Sequence, residues 1–361
     1  MGLTMSTDAH ATTPETISRA PAPAPVRAAA APAGVPANGL GVVSRPGNRF
    51  VEALRAGRFV RTAEYNPPRG PLGDRVREEG ARLREFDAVN VTSNSRAHVC
   101  MASGYTCVLL EQAGVSTVMQ LTATHMNLVA IQSEVLGAAA MGIRNLLFLT
   151  GDPPRLGDHP KDVAYYERNS VGLLQMVRRM RDAGEFAAST PEAPLRLDGQ
   201  LDVFLGAGFD PCLANPDAEL RQIERKLEAG AQFFQSNVVT NLDAFAPLWE
   251  RIVARGLPQR AYFLGGVLPF RSVQHAQMVS SLPGVMRSDP LLARMAAAAD
   301  PRAEGIAICV EIVDALRRMG LHGVHIMTGG WRASIAATVA RGAKLLPPLK
   351  VQRKAKQPAG V

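Results

Sequence analysis

Two carboxylates, Glu64 and Asp152, stand where an enzyme would place acid–base groups. Each ends a short apolar run, in "RFVRTAEY" (58–65) and "NLLFLTGDPP" (145–154), and the prolines after Asp152 prevent that run from pairing further as a strand. Two carboxyl groups that face each other have pKa values pushed apart, so one can stay protonated near neutral pH and act as a general acid. Glycosidases use a similar pair. The two residues therefore predict acid–base chemistry without selecting a substrate.

Polar residues end several other apolar runs. Any one of them alone could be an ordinary capping or turn residue. Their joint occurrence predicts one site built from several strand ends. These residues are Thr92, Asn94, Gln120, Thr122, Asp210, Gln235 and Asn237.

Schiff-base and metal chemistry receive less support from the sequence. A Schiff-base aldolase is disfavoured because none of the six lysines ends a predicted strand. His322 and His325 are three residues apart on one predicted strand, so their side chains should point to opposite faces. This spacing predicts a structural role for the pair and no metal site.

Nucleotide-binding motifs are incomplete. The chain has no GxxxxGK[ST] segment, and "GAGFDP" (206–211) lacks the third glycine of a dinucleotide fingerprint. Glycine pairs at 265–266 and 329–330 follow the last two predicted strands, where barrels often bind phosphate through backbone N–H groups. The pairs suggest phosphate binding without a recognised motif.

The net charge of +8 over 361 residues does not indicate nucleic-acid binding. Residues 1–48 hold three arginines against two carboxylates, and residues 350–361 hold four basic residues and no acidic one, which leaves +3 for the body. That body has no evident patch of Arg and Lys interleaved with aromatic residues.

Cysteine usage and hydropathy indicate a cytoplasmic protein outside the membrane. No window reaches the roughly 18 to 20 uninterrupted apolar residues that cross a bilayer, and no charged segment followed by an apolar one begins the chain. Cys100, Cys107, Cys212 and Cys309 form no CxxC pair, which is typical of reduced thiols.

Short apolar runs alternate with amphipathic stretches, a pattern that predicts an α/β protein with a (β/α)8 TIM barrel. In such a barrel the carboxyl ends of the strands share one mouth, which explains why apolar strands carry Glu64 and Asp152 at their tips. Helical spacing marks 127–141, 215–229, 242–255 and 304–319. The predicted strands span 58–64, 88–92, 117–121, 145–150, 202–207, 233–237, 261–266 and 322–327.

Composition sets the limits of the predicted barrel. The segment "APAPAPVRAAAAPAGVPA" (20–37) alternates Ala and Pro without a periodic apolar face. We predict a disordered Ala/Pro-rich extension over residues 1–48, the barrel over residues 49–347, and a basic, solvated tail over residues 348–361.

Six motifs follow one another along the chain: "AEYNPPRGP" (63–71), "VNVTSN" (89–94), "NLLFLTGDPPRLGD" (145–158), "ERKLEAGAQFFQSNV" (224–238), "GGVLPF" (265–270) and "AEGIAICVEIVDAL" (303–316). Together they resemble the methylenetetrahydrofolate reductase family over roughly residues 58–342. The resemblance implies a (β/α)8 barrel that holds FAD, which takes a hydride from NADH or NADPH and passes it to 5,10-methylenetetrahydrofolate, giving 5-methyltetrahydrofolate. The subgroup is similar to reductase modules fused to methyltransferases, so a homo-oligomer or a methyltransferase partner is compatible with it.

The resemblance also implies roles for individual residues. Glu64 matches the general acid that assists opening of the imidazolidine ring, and Asp152 matches an aspartate beside flavin and pterin. Gln235 matches a glutamine that contacts the folate, and Arg332 is assigned to the same substrate.

The implied cofactor contacts come from the ends of the second and third predicted strands and from the predicted helix 215–229. Thr92 matches a threonine at the flavin, and Gln120 and Thr122 are assigned to the same cofactor. Lys226 matches a lysine near the ribityl phosphate, and Glu219 takes the place of an aspartate that contacts a ribose.

The chain departs from the family pattern at three loops. The first loop reads "QLTATHMN" (120–127), where relatives have Thr-Cys and a charged segment. The second reads Phe-Asp-Pro (209–211), where relatives have Tyr-Pro or Asn-Pro. The third, "IMTGGWR" (326–332), retains Arg332 but has Gly-Gly-Trp in front of it. Two alternatives stay open. One is a related oxidoreductase that runs in the oxidative direction or acts on another one-carbon pterin. The other is a flavin-poor partner subunit of a methyltransferase system.

Overall fold

A computed structural model describes residues 47–211, 215–282, 284–329 and 331–347. The predicted extension up to residue 46 and the predicted basic tail, together with Cys212 and Gly330, lie outside the described residues.

The strands form a closed barrel in sequence order, and each pairs in parallel with its neighbours, including β1 with β8. The predicted (β/α)8 barrel is confirmed, and every predicted strand is present with its ends within two residues of the predicted ones. The strands are β1 (Val60–Tyr65), β2 (Ala88–Val91), β3 (Thr117–Thr122), β4 (Asn145–Leu149), β5 (Phe204–Phe209), β6 (Phe233–Val238), β7 (Tyr262–Val267) and β8 (Gly323–Ile326).

Helices cover the outside of the barrel and bury their apolar faces against the strands. Asn127, Asn169, Asn215 and Asn241 each cap a helix by accepting a hydrogen bond from a backbone N–H of its first turn. The helices in the described residues are α1 (Arg49–Arg55), α2 (Gly73–Ala81), α3 (Ser103–Gln112), α4 (Leu128–Ala140), α5 (Ser170–Ala183), α6 (Pro216–Glu228), α7 (Leu242–Ala254), α8 (Val273–Val279), α9 (Asp289–Ala297), α10 (Pro301–Arg318) and α11 (Ile335–Gly342). Among the described helices, none is long and apolar enough to span a bilayer.

The end of the barrel where the strands begin is closed by an aromatic plug, defined as Phe50, Phe204, Phe233 and Tyr262. The Phe204 and Phe233 rings stack with centroids 5.2 Å apart, and the Phe50 ring meets Phe233 edge-on at 5.3 Å. A Cβ on Gly206 would lie 2.1 Å from the Phe233 ring. The first glycine of "GAGFDP" therefore makes room for a core aromatic.

Helix α1 brings Phe50 to the plug, and Asn48 fixes the start of that helix. The Asn48 side chain accepts a hydrogen bond from Val51 N and donates to the Asn145 Oδ1 at 2.8 Å. Asn48 is 5% exposed. The sequence placed Asn48 in the extension, whereas it packs and bonds as part of the barrel.

Candidate active site at the carboxyl ends of the strands

A cavity of about 410 Å³ opens at the end of the barrel where the strands finish. Its walls come from the ends of β1 to β6 and β8, from the loops that follow them and from α5 and α6. Eight of the nine predicted site residues line it: Glu64, Thr92, Gln120, Thr122, Asp152, Glu219, Lys226 and Gln235. The ninth, Arg332, is exposed between β8 and α11 and is not part of the cavity wall.

Glu64, near the end of β1, is held by three hydrogen bonds on one oxygen. Its Oε1 accepts from Thr328 N at 3.1 Å, from Thr328 Oγ1 at 2.8 Å and from Asn66 Nδ2 at 2.9 Å. These donors fix the plane of the carboxyl group and leave Oε2 as the atom that can carry a proton toward a ligand.

Asn66 and Thr328 extend this arrangement to β2. Asn66 Nδ2 also donates to Thr328 Oγ1 at 2.9 Å, and Asn66 Oδ1 accepts from Thr92 Oγ1 at 3.0 Å. Both residues were missed by the sequence reasoning. Thr328 is 264 positions from Glu64, so no local pattern could have paired them.

Asp152 lies at the edge of the cavity, after β4, on a backbone that requires glycine before it. Gly151 has φ +91°, and a Cβ there would lie 2.6 Å from Thr124 Oγ1. Asp152 is exposed and accepts a hydrogen bond from Arg96 N at 2.8 Å. The bonds that orient Asp152 and Glu64 thus come from different loops, and both carboxylates border one cavity.

His125, in the loop after β3, is a neighbour of Asp152 that the sequence marked only as a departure from the family pattern. Its Nδ1 is buried without a hydrogen-bond partner in the described structure. Burial lowers the pKa of His125, and the negative charge of Asp152 partly opposes this shift. His125 therefore lies near Asp152 in surroundings where burial favours the neutral imidazole.

Asp158 ties together three loops that surround the mouth. Its carboxylate accepts from Val99 N at 2.7 Å and pairs with Arg69 at 2.7 Å and with His98 at 3.0 Å. The Val99 N–H bond, followed by His98 and Arg69, holds the pKa of Asp158 below its usual range despite opposing desolvation. Asp158 therefore joins the loops after β1, β2 and β4.

An acidic cluster with one lysine lies at the end of β5 and along α6. Glu219 accepts from Asp210 N at 3.0 Å, and Lys226 Nζ donates to Gly208 O at 2.7 Å. Burial raises the pKa of Glu219 and lowers the pKa of Lys226, while the attraction between the two charges opposes both shifts. Among the charged residues of the cavity wall, Lys226 is the cation and Glu64, Asp152, Asp210 and Glu219 are the acids.

Three amides form a chain through the barrel interior. Gln120 Nε2 on β3 donates to Asn90 Oδ1 on β2 at 2.8 Å, and Asn90 Nδ2 donates to Gln235 Oε1 on β6 at 2.6 Å. Gln120 and Gln235 line the cavity, whereas Asn90 lies behind the wall and is fully buried. Asn90 was not predicted as a site residue, although it lies within the quoted motif "VNVTSN".

Two buried polar atoms on the cavity wall have no protein partner in the described structure: Thr122 Oγ1 and His325 Nε2. The other ring nitrogen of His325 is 2.9 Å from Thr62 Oγ1, and burial lowers the pKa of His325 to about 3. His322 Nδ1 accepts a hydrogen bond from Phe263 N and lies outside the cavity wall, whereas His325 lines the cavity. Buried polar atoms normally have partners, so the orphaned pair indicates that the cavity receives a polar ligand.

These residues fit a flavin. The unpaired Thr122 hydroxyl can meet the polar edge of a flat heteroaromatic ring, the Thr92 oxygen can accept from such a ring, and Lys226 offers a cation to an anionic or hydroxylated side chain. They equally fit a pterin, which has the same kind of polar edge. The geometry supports a site for heteroaromatic ligands with an acid, Glu64, at its wall.

Comparisons with known proteins point to one family. The family model described as methylenetetrahydrofolate reductase matches residues 49–341. The chain is 24% identical over 308 residues to methylenetetrahydrofolate reductase 2 of Schizosaccharomyces pombe. The matched region covers 80% of this chain and 46% of that protein. The chain thus spans about half the length of this curated relative.

A solved structure has the same fold. It is an uncharacterized protein from Clostridium thermocellum whose description says that it binds two copies of 5-methyl-5,6,7,8-tetrahydrofolic acid. The likeness has a TM-score of 0.56 at 13% identity and covers 82% of this chain and 98% of that chain. At this identity, the likeness carries the fold alone.

Proposed function

Because this chain belongs to the methylenetetrahydrofolate reductase family, we propose that it reduces 5,10-methylenetetrahydrofolate to 5-methyltetrahydrofolate with electrons from NADH or NADPH passed through FAD. It would then be an oxidoreductase acting on CH–NH donors in one-carbon and methionine metabolism. The observation that carries the proposal is Glu64, a carboxyl group fixed by three hydrogen bonds at the wall of a polar cavity.

Glu64 supplies the proton in this proposal. Opening of the five-membered ring breaks the bond between the methylene carbon and N10. The electron pair of that bond passes to N10, which takes the proton from Glu64 Oε2, while the lone pair of N5 forms a double bond to the methylene carbon. The bonds from Thr328 and Asn66 hold Oε1, so the protonated oxygen keeps one orientation. The methylene carbon remains on N5 as an iminium cation, which then receives a hydride.

The acidic wall of the cavity suits this cation. Asp152 at the rim, Asp210 after β5 and Glu219 on α6 bring negative charge toward the ligand, with Lys226 as the counter-charge. Charges fixed before the reaction stabilise charge that develops during it without reorganisation at that moment.

FAD, when bound, would supply hydride-transfer chemistry between the nicotinamide nucleotide and the folate. Thr92, Gln120 and Thr122 would hold its ring system, with Asp152 beside it. Lys226 would lie near its ribityl phosphate, and Glu219 would contact a ribose. The unpaired Thr122 hydroxyl supports this assignment, because a buried hydroxyl without a partner is costly unless a ligand satisfies it.

Gln235 contacts the folate in this proposal, and Arg332 acts on the same substrate from outside the cavity wall. An exposed guanidinium at the mouth suits the carboxylates of a folate tail. The proposed setting is cytoplasmic, with a homo-oligomer or a methyltransferase as the partner.

The test separates the two half-reactions under anaerobic conditions. Purified protein should be yellow with bound FAD, NADH or NADPH should bleach it, and methylenetetrahydrofolate should restore the colour and yield 5-methyltetrahydrofolate. A colourless protein that binds no folate would contradict the proposal and favour the partner-subunit role. Reoxidation by another pterin alone, or net turnover only from 5-methyltetrahydrofolate, would favour the related-enzyme alternative.

A further inference from the structure

The Gln235 amide at the cavity wall is held in one orientation by a residue that no ligand can touch. Asn90 Nδ2 donates to Gln235 Oε1 at 2.6 Å. An amide has an acceptor end and a donor end. With Oε1 turned to Asn90, Nε2 is the end that Gln235 offers to the cavity.

Asn90 is itself fixed by its other end. Gln120 Nε2 donates to Asn90 Oδ1 at 2.8 Å, so Asn90 cannot turn over without placing two NH₂ groups against each other. Asn90 is fully buried and stands behind the wall formed by Gln120 and Gln235. Turning it would leave buried polar atoms unpaired, which is costly in a low-dielectric interior.

We infer that Asn90 is a positioning residue that sets the specificity of the site: it holds Gln235 with Nε2 toward the ligand, so the cavity selects rings that offer a hydrogen-bond acceptor there. This inference rests on the proposed folate function. In a folate pterin the group at C4 is a carbonyl, which is an acceptor. In the 4-amino-4-deoxy analogue the same position carries an NH₂ donor, which would face the Gln235 NH₂.

The test compares the affinity for 5-methyltetrahydrofolate with the affinity for its 4-amino-4-deoxy analogue. The unaltered protein should prefer the 4-oxo ligand by about 10-fold or more, the effect of one mismatched buried hydrogen bond. Asn90→Leu keeps the branched shape and the number of side-chain heavy atoms and releases Gln235, so that preference should shrink toward unity.

Asn90→Asp gives a sharper readout because it makes the preference depend on pH. The ionised carboxylate only accepts, so Gln235 must turn Nε2 toward it and present Oε1 to the ligand, which favours the 4-amino analogue. The protonated form donates to Gln235 Oε1 as Asn90 does. At low pH, the preference of this variant for the 4-oxo ligand should therefore approach that of the parent. As pH rises, it should fall below the preference of the parent measured at the same pH.

Asn145 provides the matched control. It is also a buried asparagine on a barrel strand and bonds Asn48 and Thr117 O, but at the end of the barrel away from the cavity. Asn145→Leu and Asn145→Asp should lower the thermal stability and leave the ligand preference unchanged. If Asn90→Leu does not fold, the pH series of Asn90→Asp decides.

The outcomes separate two failures. A parent protein that binds neither ligand contradicts the proposed function, and the inference falls with it. A parent that binds 5-methyltetrahydrofolate without preferring it over the analogue overturns the inference alone. So does a folded Asn90→Asp variant whose preference matches the parent at every pH.

Discussion

The two ends of the barrel use the same strands for opposite purposes. Where the strands begin, Phe50, Phe204 and Phe233 meet ring against ring and leave no space. Where they end, side chains such as Glu64 and Gln235 surround a cavity of about 410 Å³. A shift of two residues along β6, from Phe233 to Gln235, changes the barrel interior from apolar to hydrogen-bonded.

This difference separates stability from chemistry. Close packing of aromatic rings contributes through buried area and dispersion and needs no partner outside the protein. The polar mouth keeps atoms such as Thr122 Oγ1 unpaired, which costs stability and is recovered only when a ligand binds. Changes at the two ends should therefore move different observables.

Phe233→Ala should give the largest effect and should affect folding alone. Removing this ring from the plug leaves a cavity between Phe50 and Phe204, and such truncations cost about 3–5 kcal/mol. Chemical denaturation measures the loss in free energy of unfolding. Folate affinity, measured where the variant is folded, should stay within about twofold. A large loss of affinity at unchanged stability would abolish the distinction between the two ends.

Glu64→Gln should act at the other end. It keeps the shape and the acceptor for Thr328 but removes the acid, so flavin reoxidation by methylenetetrahydrofolate should slow by at least about 10²-fold. Flavin reduction by the nicotinamide and the thermal stability should be retained. Thr328→Val is the matched control, since it weakens the orientation of Glu64 and keeps its proton. Equal loss in both half-reactions would assign Glu64 to flavin binding or folding.

His325 tests whether a buried polar group at the mouth lowers the free energy of unfolding. Burial lowers its pKa to about 3 in the folded protein, so below pH about 6.5 the unfolded chain binds a proton that the folded one does not. Stability is therefore lost as pH falls from about 6.5 toward 3. His325→Gln should reduce this dependence by about 1 kcal/mol per pH unit between pH 6 and 5. Parallel stability curves for parent and variant would show that His325 does not contribute.

Asp152→Asn should have a smaller effect, because Asp152 is exposed and its field is screened. Loss of one such charge near a developing cation costs on the order of 1 kcal/mol, roughly a fivefold slower folate half-reaction. The flavin potential should rise, since a negative neighbour disfavours reduced flavin. The pKa of His125, followed by NMR, should fall because Asp152 raises it. If all three quantities stay at the parent values, Asp152 is only a turn residue.

Deletion of residues 1–46 should have the smallest effect. The Ala/Pro alternation of this segment provides no periodic apolar face for packing. Thermal stability and folate reduction should stay nearly unchanged. The matched deletion of residues 1–48 also removes Asn48, which caps α1 and bonds Asn145, and should lower stability by about 1–2 kcal/mol. Equal effects of the two deletions would contradict the claim that Asn48 stabilises the barrel by capping α1.

The sequence by itself determined the barrel and most of the cavity wall. Strand and helix signals are local, because apolar spacing and capping residues such as Asn127 and Asn215 act within a few positions of the chain. Once strands alternate with helices, a closed parallel barrel places the residues after each strand at one mouth. This is why Glu64, Asp152 and Gln235 were predicted together and do border one cavity.

Only the tertiary structure decided which atoms of that wall are engaged and which face a ligand. Asn90 and Gln235 are 145 positions apart, and Glu64 and Thr328 are 264 apart, so these pairs depend on strand register and on closure of β1 against β8. Arg332 had the same kind of sequence signal as the others and lies outside the wall. A hydrogen bond requires atoms within about 3 Å in a fixed direction, and in this barrel that precision arises from the packing of distant strands, which the spacing of residues along the chain does not record.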